Sequence, residues 1–127
     1  MLIPTIHFAG NCDEVIAYYK HAVGAQVKAV HYVQDVAPNF VGHSEVEIFG
    51  CTVALTDGCD SAPASINHTF TVFLPTADEV TALFNTLADG GTVTEPLAPQ
   101  FWADLCGGVT DRFGVNWHIN VGEISRA

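Results

Sequence analysis

The chain has 127 residues, 49% hydrophobic and 14% charged, a balance that supports a buried core and excludes a disordered polymer. Its net charge of −10 leaves only Lys20, Lys28, Arg112 and Arg126 as bases, and they are scattered. Nucleic acid and anionic membrane surfaces, which need clustered Lys and Arg, are therefore excluded as partners, and phosphorylated substrates are disfavoured.

No apolar run approaches the roughly 20 residues of a membrane span. The start, Met1-Leu2-Ile3-Pro4, shows neither a basic segment nor a cleavage pattern, so a cytoplasmic protein is expected. Cys12, Cys51, Cys59 and Cys106 form no C-x-x-C pair and are expected to be reduced thiols rather than disulfides or a structural zinc site.

In chain order, Ile3 to Ala9 predicts a short strand. Asn11 with Glu14 three residues later forms a capping-box pattern, and Val15, Ile16, Tyr19, Ala22 and Val23 recur at helical spacing up to Gly24. Val27 to Val36 predicts a strand broken by Ala37-Pro38-Asn39, and Val41 to Phe49 and Cys51 to Thr56 predict two more. A polar, small-residue connector, Asp57 to Ser65, follows, and then the order begins again. Asn67 to Leu74 predicts a strand, and Thr76 with Glu79 a second capping box. Val80, Leu83, Phe84 and Leu87 mark the buried stripe of a helix ended by Gly90-Gly91. Thr92 to Leu97 predicts a short strand, Ala98 to Ala103 a loop, and Leu105 to Thr110 a strand despite Gly107 and Gly108. The last strand follows a turn at Asp111 to Gly114. It puts Val115, Trp117, Ile119 and Val121 on one face and Asn116, His118 and Asn120 on the other.

The two halves repeat. A shift of 65 residues places Asn11 on Thr76, Asp13-Glu14-Val15 on Asp78-Glu79-Val80, and Tyr19 on Phe84. A shift of 64 places Gly50 on Gly114, Leu55 on Ile119 and Gly58 on Gly122. The order of these matches predicts a duplicated β-α-β-β-β unit. One helix covers one face of a four-stranded sheet and leaves the other open. Two such units can curl their open faces around a shared cleft lined by helix-distant polar residues. The predicted class is thus α+β, with two tandem modules (1–60 and 65–123) forming a curved mixed sheet around a cleft.

Several stretches carry a family resemblance over almost the whole chain. They are Gly10-Asn11-Cys12 with Glu14 and Tyr19, His43-Ser44-Glu45-Val46, Gly90-Gly91-Thr92-Val93, Phe101-Trp102-Ala103, and Thr110 to Val115 ending at Trp117. With the duplication, they resemble the vicinal-oxygen-chelate superfamily of glyoxalase I, bleomycin-resistance proteins and extradiol dioxygenases, and within it the PhnB-like group, sometimes labelled demethylubiquinone-methyltransferase-like. The resemblance implies a homodimer. It also implies metal ligands, where metal is used, at Pro4 (or Ile3), Ala54, Thr69 and His118. Of these His118 alone ligates a divalent cation in the usual way, and a one-residue slip from Thr69 to His68 would raise the count to two. Three protein ligands are wanted for a catalytic site, so no metal or other cofactor is expected. The chain also lacks a G-x-G-x-x-G loop, which leaves the methyltransferase label without a nucleotide-type cofactor site.

The candidate ligand-binding residues are His118, Asn116, His43, Trp102, Phe101, Thr69 and His7. His118 is either a strand histidine bonded to a neighbour, a pocket group, or an acid/base with an ordinary pKa near 6.5. His43 shares its face with Glu45 and Glu47, which fits a solvated rim or a cleft. For His7, alternation pairs it with Thr5 while the duplication pairs it with Val72, and its face stays open. Phe101 and Trp102 fit a lid over the sheet or an aromatic wall. Asp111 fits a turn residue, and its pairing with Arg112 is worth little if exposed. The expected function is metal-free binding of a small hydrophobic or aromatic molecule. The alternative is a lyase, isomerase or dioxygenase type of enzyme of the same superfamily, using His118 with a metal or as acid/base.

Overall fold

The computed structural model describes residues 1–58, 67–101 and 103–122. The chain divides into two compact units, Met1–Ala62 and Pro63–Ala127. The first holds β1 (Thr5–His7), α1 (Cys12–Ala22), β2 (Gln26–Tyr32), β3 (Val41–Ile48) and β4 (Cys51–Thr56). The second holds β5 (Phe70–Leu74), α2 (Ala77–Ala88), β6 (Thr92–Gln100), β7 (Ala103–Thr110) and β8 (Asn116–Val121). Sheet orders are β1-β4-β3-β2 and β5-β8-β7-β6. In each, the first and last strands pair parallel and the others antiparallel, so the α+β tandem-module class is as the duplication predicts.

One face of each sheet is apolar because its helix packs there. In the first unit Val15, Ile16 and Tyr19 of α1 are buried together with Val46, Val53 and Leu55. In the second, Val80, Leu83, Phe84 and Leu87 of α2 are buried with Val72, Val109, Trp117 and Ile119. Phe70 meets the Trp117 ring edge-on at 5.1 Å between centroids. Burying a side chain of this kind contributes roughly 1.5–3 kcal/mol.

The helix starts differ from each other and, for α1, from the sequence expectation. Thr76 caps α2, its hydroxyl accepting from Glu79 N at 3.2 Å. Asn11 makes no side-chain cap on α1. Instead the Asp57 carboxylate, past the end of β4, accepts from Gly10 N and Cys12 N (both 2.9 Å) with Oδ1 and from Val41 N (3.0 Å) with Oδ2. A charged acceptor brought from another element does there what a local amide would do more weakly.

Strand limits shift for physical reasons. β2 stops at Tyr32, since Val33 N bonds Phe40 O and Asn39, at φ 59°, turns the chain back. β6 runs to Gln100 through the expected loop. It is an edge strand, where Pro96 and Pro99 remove no needed ladder donor. No helix among the described residues is long and apolar enough to cross a membrane.

Candidate functional site

The helix-distant face of the second sheet carries a row of residues in register across its four strands. Thr71 of β5 pairs with His118 of β8, His118 with Gly108 of β7, and Gly108 with Glu95 of β6. Glu95 and His118 are thus two strands apart, yet His118 Nε2 lies 2.9 Å from Glu95 Oε2. On the other side of the ring, Asn120 Nδ2 lies 3.1 Å from His118 Nδ1. An amide nitrogen only donates and a carboxylate only accepts. The neutral ring therefore carries its proton on Nε2, donates to Glu95 and accepts from Asn120. Both ring nitrogens are spoken for, and the imidazole plane is held from two sides.

The two glycines in the middle of β7 make this possible. A Cβ at Gly108 would stand 2.7 Å from Thr94 Oγ1 and 3.3 Å from Glu95 Cβ. The missing side chain is the gap over which Glu95 crosses to His118. A Cβ at Gly107, facing the helix, would stand 2.8 Å from the Phe84 ring and 3.0 Å from Glu95 O. Gly-Gly weakens a strand in isolation and is needed here on both of its faces, since each is closely approached.

Around this row, Asn120 is 2% exposed and Cys106 1%, although both belong to the helix-distant face. Asn116 is committed to structure: its Oδ1 accepts from Thr110 Oγ1 (2.7 Å) and its Nδ2 donates to His68 O (3.0 Å), tying β8 to the chain before β5. Thr69 is exposed and precedes β5, so the place beside His118 is filled by Thr71.

The first unit carries the remaining candidates. His7 pairs with Thr56 in register, and its Nδ1 lies 3.0 Å from Thr56 Oγ1, which puts it on the helix-distant face with Thr5. The duplication suggests Val72 as its counterpart. The ladder makes that counterpart Phe73, because Thr5 opposes Ala54 as Thr71 opposes His118. His43 is half exposed, 3.8 Å from Glu45, and its ring stacks loosely on His31 at 6.5 Å. Phe101, at the turn between β6 and β7, is 96% exposed. Trp102 and Cys59 lie outside the described residues. The structure thus brings together His118, Glu95 and Asn120, and leaves His7 and His43 in a separate unit.

Asp111 is more than a turn residue. It is 3% exposed, accepts from Phe113 N (2.9 Å) and Val115 N (3.1 Å) with Oδ1, and from Trp117 Nε1 (2.9 Å) with Oδ2. This fixes the turn and the tryptophan that anchors β8, and hence the register of His118. Arg112 turns away, donating to Asp89 O at 2.9 Å. Cys12 is fully buried, and burial, followed by the nearby charges of Asp57 and Asp13, pushes its thiol up to about 12, which disfavours the nucleophilic thiolate at neutral pH.

The sequence expectations name His118 and miss Glu95 and Gly108. The available signal is the glycine pair inside an otherwise regular strand, which marks a close approach from outside it.

Two tandem units, each a four-stranded mixed sheet with one helix, are the fold of the vicinal-oxygen-chelate superfamily. The model of the family described as 3-demethylubiquinone-9 3-methyltransferase matches residues 1–120, and the chain belongs to that family, the PhnB-like group of the superfamily. Protein YjdN of Escherichia coli K12 is 34% identical, with 94% of each chain covered. The PhnB protein from Bacillus cereus superposes with a TM-score of 0.83 at 18% identity, covering 95% of this chain and 98% of its own. The fosfomycin resistance protein FosX of Listeria monocytogenes superposes at 0.73 and 13%, covering 97% and 93%, and a mutant of it is known as a complex with Mn(II) and 1S,2S-dihydroxypropylphosphonic acid. Among the described residues of this chain, no group of three or more His, Cys, Asp or Glu side chains is placed to hold a metal ion. The described residues thus do not supply the three ligands that a catalytic metal site wants.

Proposed function

We propose that the chain binds a small hydrophobic or aromatic molecule on the helix-distant face of its second sheet, without a metal. The observation that carries this reading is the fixed row Glu95–His118–Asn120. It consists of polar groups held in one geometry, with Asn120 itself and the neighbouring Cys106 buried, where a sheet that only needed a solvated face would keep them loose. Orientation by a few placed polar groups within apolar surroundings is what small-molecule sites use. A methyltransferase reading finds no support in the chain's own residues, since the cofactor loop is lacking and each sheet has only one parallel strand pair among the described residues.

The supporting experiment is a thermal-shift screen of small aromatic compounds on protein treated with chelator. Compounds that stabilise the wild type and lose their effect in His118→Ala, while that variant alone stays folded, are the expected outcome. One tight divalent metal per chain by elemental analysis, or stabilisation indifferent to His118, overturns the reading.

The second reading, an enzyme of the same superfamily, is favoured by the carboxylate–imidazole pair. With Nδ1 occupied by Asn120, His118 offers no lone pair for a substrate proton. Glu95, 47% exposed at its side chain, is the group of the pair that reaches outward and would act as base. Turnover abolished by Glu95→Gln, with the fold unchanged, would favour it.

A further inference from the structure

We infer that the ligand carries a hydrogen-bond-donating cation, an amine, amidine or guanidine on a flat apolar body, and that Glu95 is the group that receives it. The inference rests on the second sheet's helix-distant face being the binding surface.

The polar groups of that face settle the sign of the ligand. Thr71, Asn116, Asn120, Cys106 and Gly108 are uncharged. Its formal charges among the described residues, Glu95 and, by alternation toward the exposed start of β7, Asp104, are both negative. The described cation of the second unit, Arg112, is held by Asp89, donating to its carbonyl oxygen. No Lys or Arg among the described residues is therefore paired with Glu95. His118 gives it one ring N–H donor at Oε2, and its Oε1 has no hydrogen-bond partner among the described residues. A carboxylate clamped at one oxygen and open at the other is an acceptor of fixed direction. Such a group receives a charge-assisted N–H at about twice the strength of a neutral one. The clamp also removes rotamer freedom that binding would otherwise have to freeze. The net charge of −10 adds a field that draws cations and repels anions.

The rest of the face supplies the apolar body. Phe73 of β5 opposes Asn120 in register, and it is 37% exposed. It therefore stands on the same face as His118, one row along. An aromatic ring seated over Phe73 and the His118 imidazole, with its cationic substituent turned to Glu95, uses these groups without opening either His118 hydrogen bond.

Three probes of matched ring size test this: benzamidine, benzyl alcohol and benzoate, titrated against ¹⁵N-histidine-labelled protein while the His118 resonances are followed. Benzamidine is expected to bind about fivefold tighter than benzyl alcohol, the upper range for a half-exposed ion pair, with benzoate weakest. In Glu95→Gln, a substitution on an exposed edge strand, the order should collapse, and in the wild type the preference should shrink as salt is raised. Equal binding of the three probes, or a preference that survives Glu95→Gln, overturns the cation inference and leaves the binding surface standing. Failure of all three to move the His118 resonances overturns both.

Discussion

The row Thr5, Ala54, Glu45, Ala29 crosses the first sheet in the same register in which Thr71, His118, Gly108, Glu95 crosses the second. The threonine is kept, and everything after it differs. In the first row the carboxylate sits on the strand next to a buried alanine and meets His43 of its own strand at a loose 3.8 Å. In the second the carboxylate has moved out one strand, a glycine has opened the way, and a histidine stands where the alanine was. One scaffold thus carries a loosely held polar face and a clamped one, which shows that the fold supplies the row and the row's occupants supply the site.

The two units also share a device used at different places. Asp57 and Asp111 are buried carboxylates that each take three N–H donors, one set holding the starts of α1 and β3 and the other the turn before β8 with Trp117. The largest expected effect of substitution follows. Asp57→Ala and Asp111→Ala should each cost about 3–5 kcal/mol in urea denaturation, because several buried donors lose a charged acceptor at once. Asp111→Ala should additionally release Trp117 and change its fluorescence, a signature Asp57→Ala should lack. A loss under about 1 kcal/mol in either would show that the carboxylate is not what closes that element.

Next comes the glycine pair. Gly107→Ala forces a methyl against Phe84 and the Glu95 carbonyl and should cost about 1–3 kcal/mol of stability. Gly108→Ala meets side-chain atoms that can give way, so it should cost less stability while separating Glu95 from His118. If both glycines tolerate alanine with His118 unaffected, the gap is not what the pairing needs.

The helix caps sharpen the comparison further. Thr76→Ala should cost about 1 kcal/mol, and Asn11→Ala only a few tenths, because the work expected of Asn11 is done by Asp57. The smallest effect concerns the thiols. Cys51 should react with iodoacetamide in the native protein while Cys12 and Cys106 stay protected. The Cys12 thiol is pushed up from 9.0 to about 12 in the folded chain, so the unfolded chain releases its proton first. Stability should therefore be unaffected by this group below about pH 9 and fall as pH rises from there toward 12. Cys12→Ala should flatten that fall.

The duplication, the β-α-β-β-β succession within each half and the helix stripes are legible in the sequence, because each follows from apolar periodicity and turn residues. Trp117 facing the helix and His118 facing away follow from alternation alone. The α1 cap is not legible, since Asp57 is far away in sequence from the backbone it holds. Glu95 is hidden for a related reason. Its partner lies two strands over, and only the ladder register shows that the residue between them has no side chain. The extent of β6 is obscured because proline counts against a strand in general and is harmless on an edge.

The clamped second row and the loose first one can be compared in one spectrum. In a ¹⁵N-histidine correlation experiment at a pH where the rings are neutral, His118 should show a single Nε2–H tautomer with a slowly exchanging ring proton. His43, exposed and 3.8 Å from its carboxylate, should average between tautomers. Glu95→Gln and Asn120→Ala should each bring His118 closer to the behaviour of His43. A His118 signal that averages in the wild type as His43 does would contradict the central claim that the second sheet holds a preformed polar site.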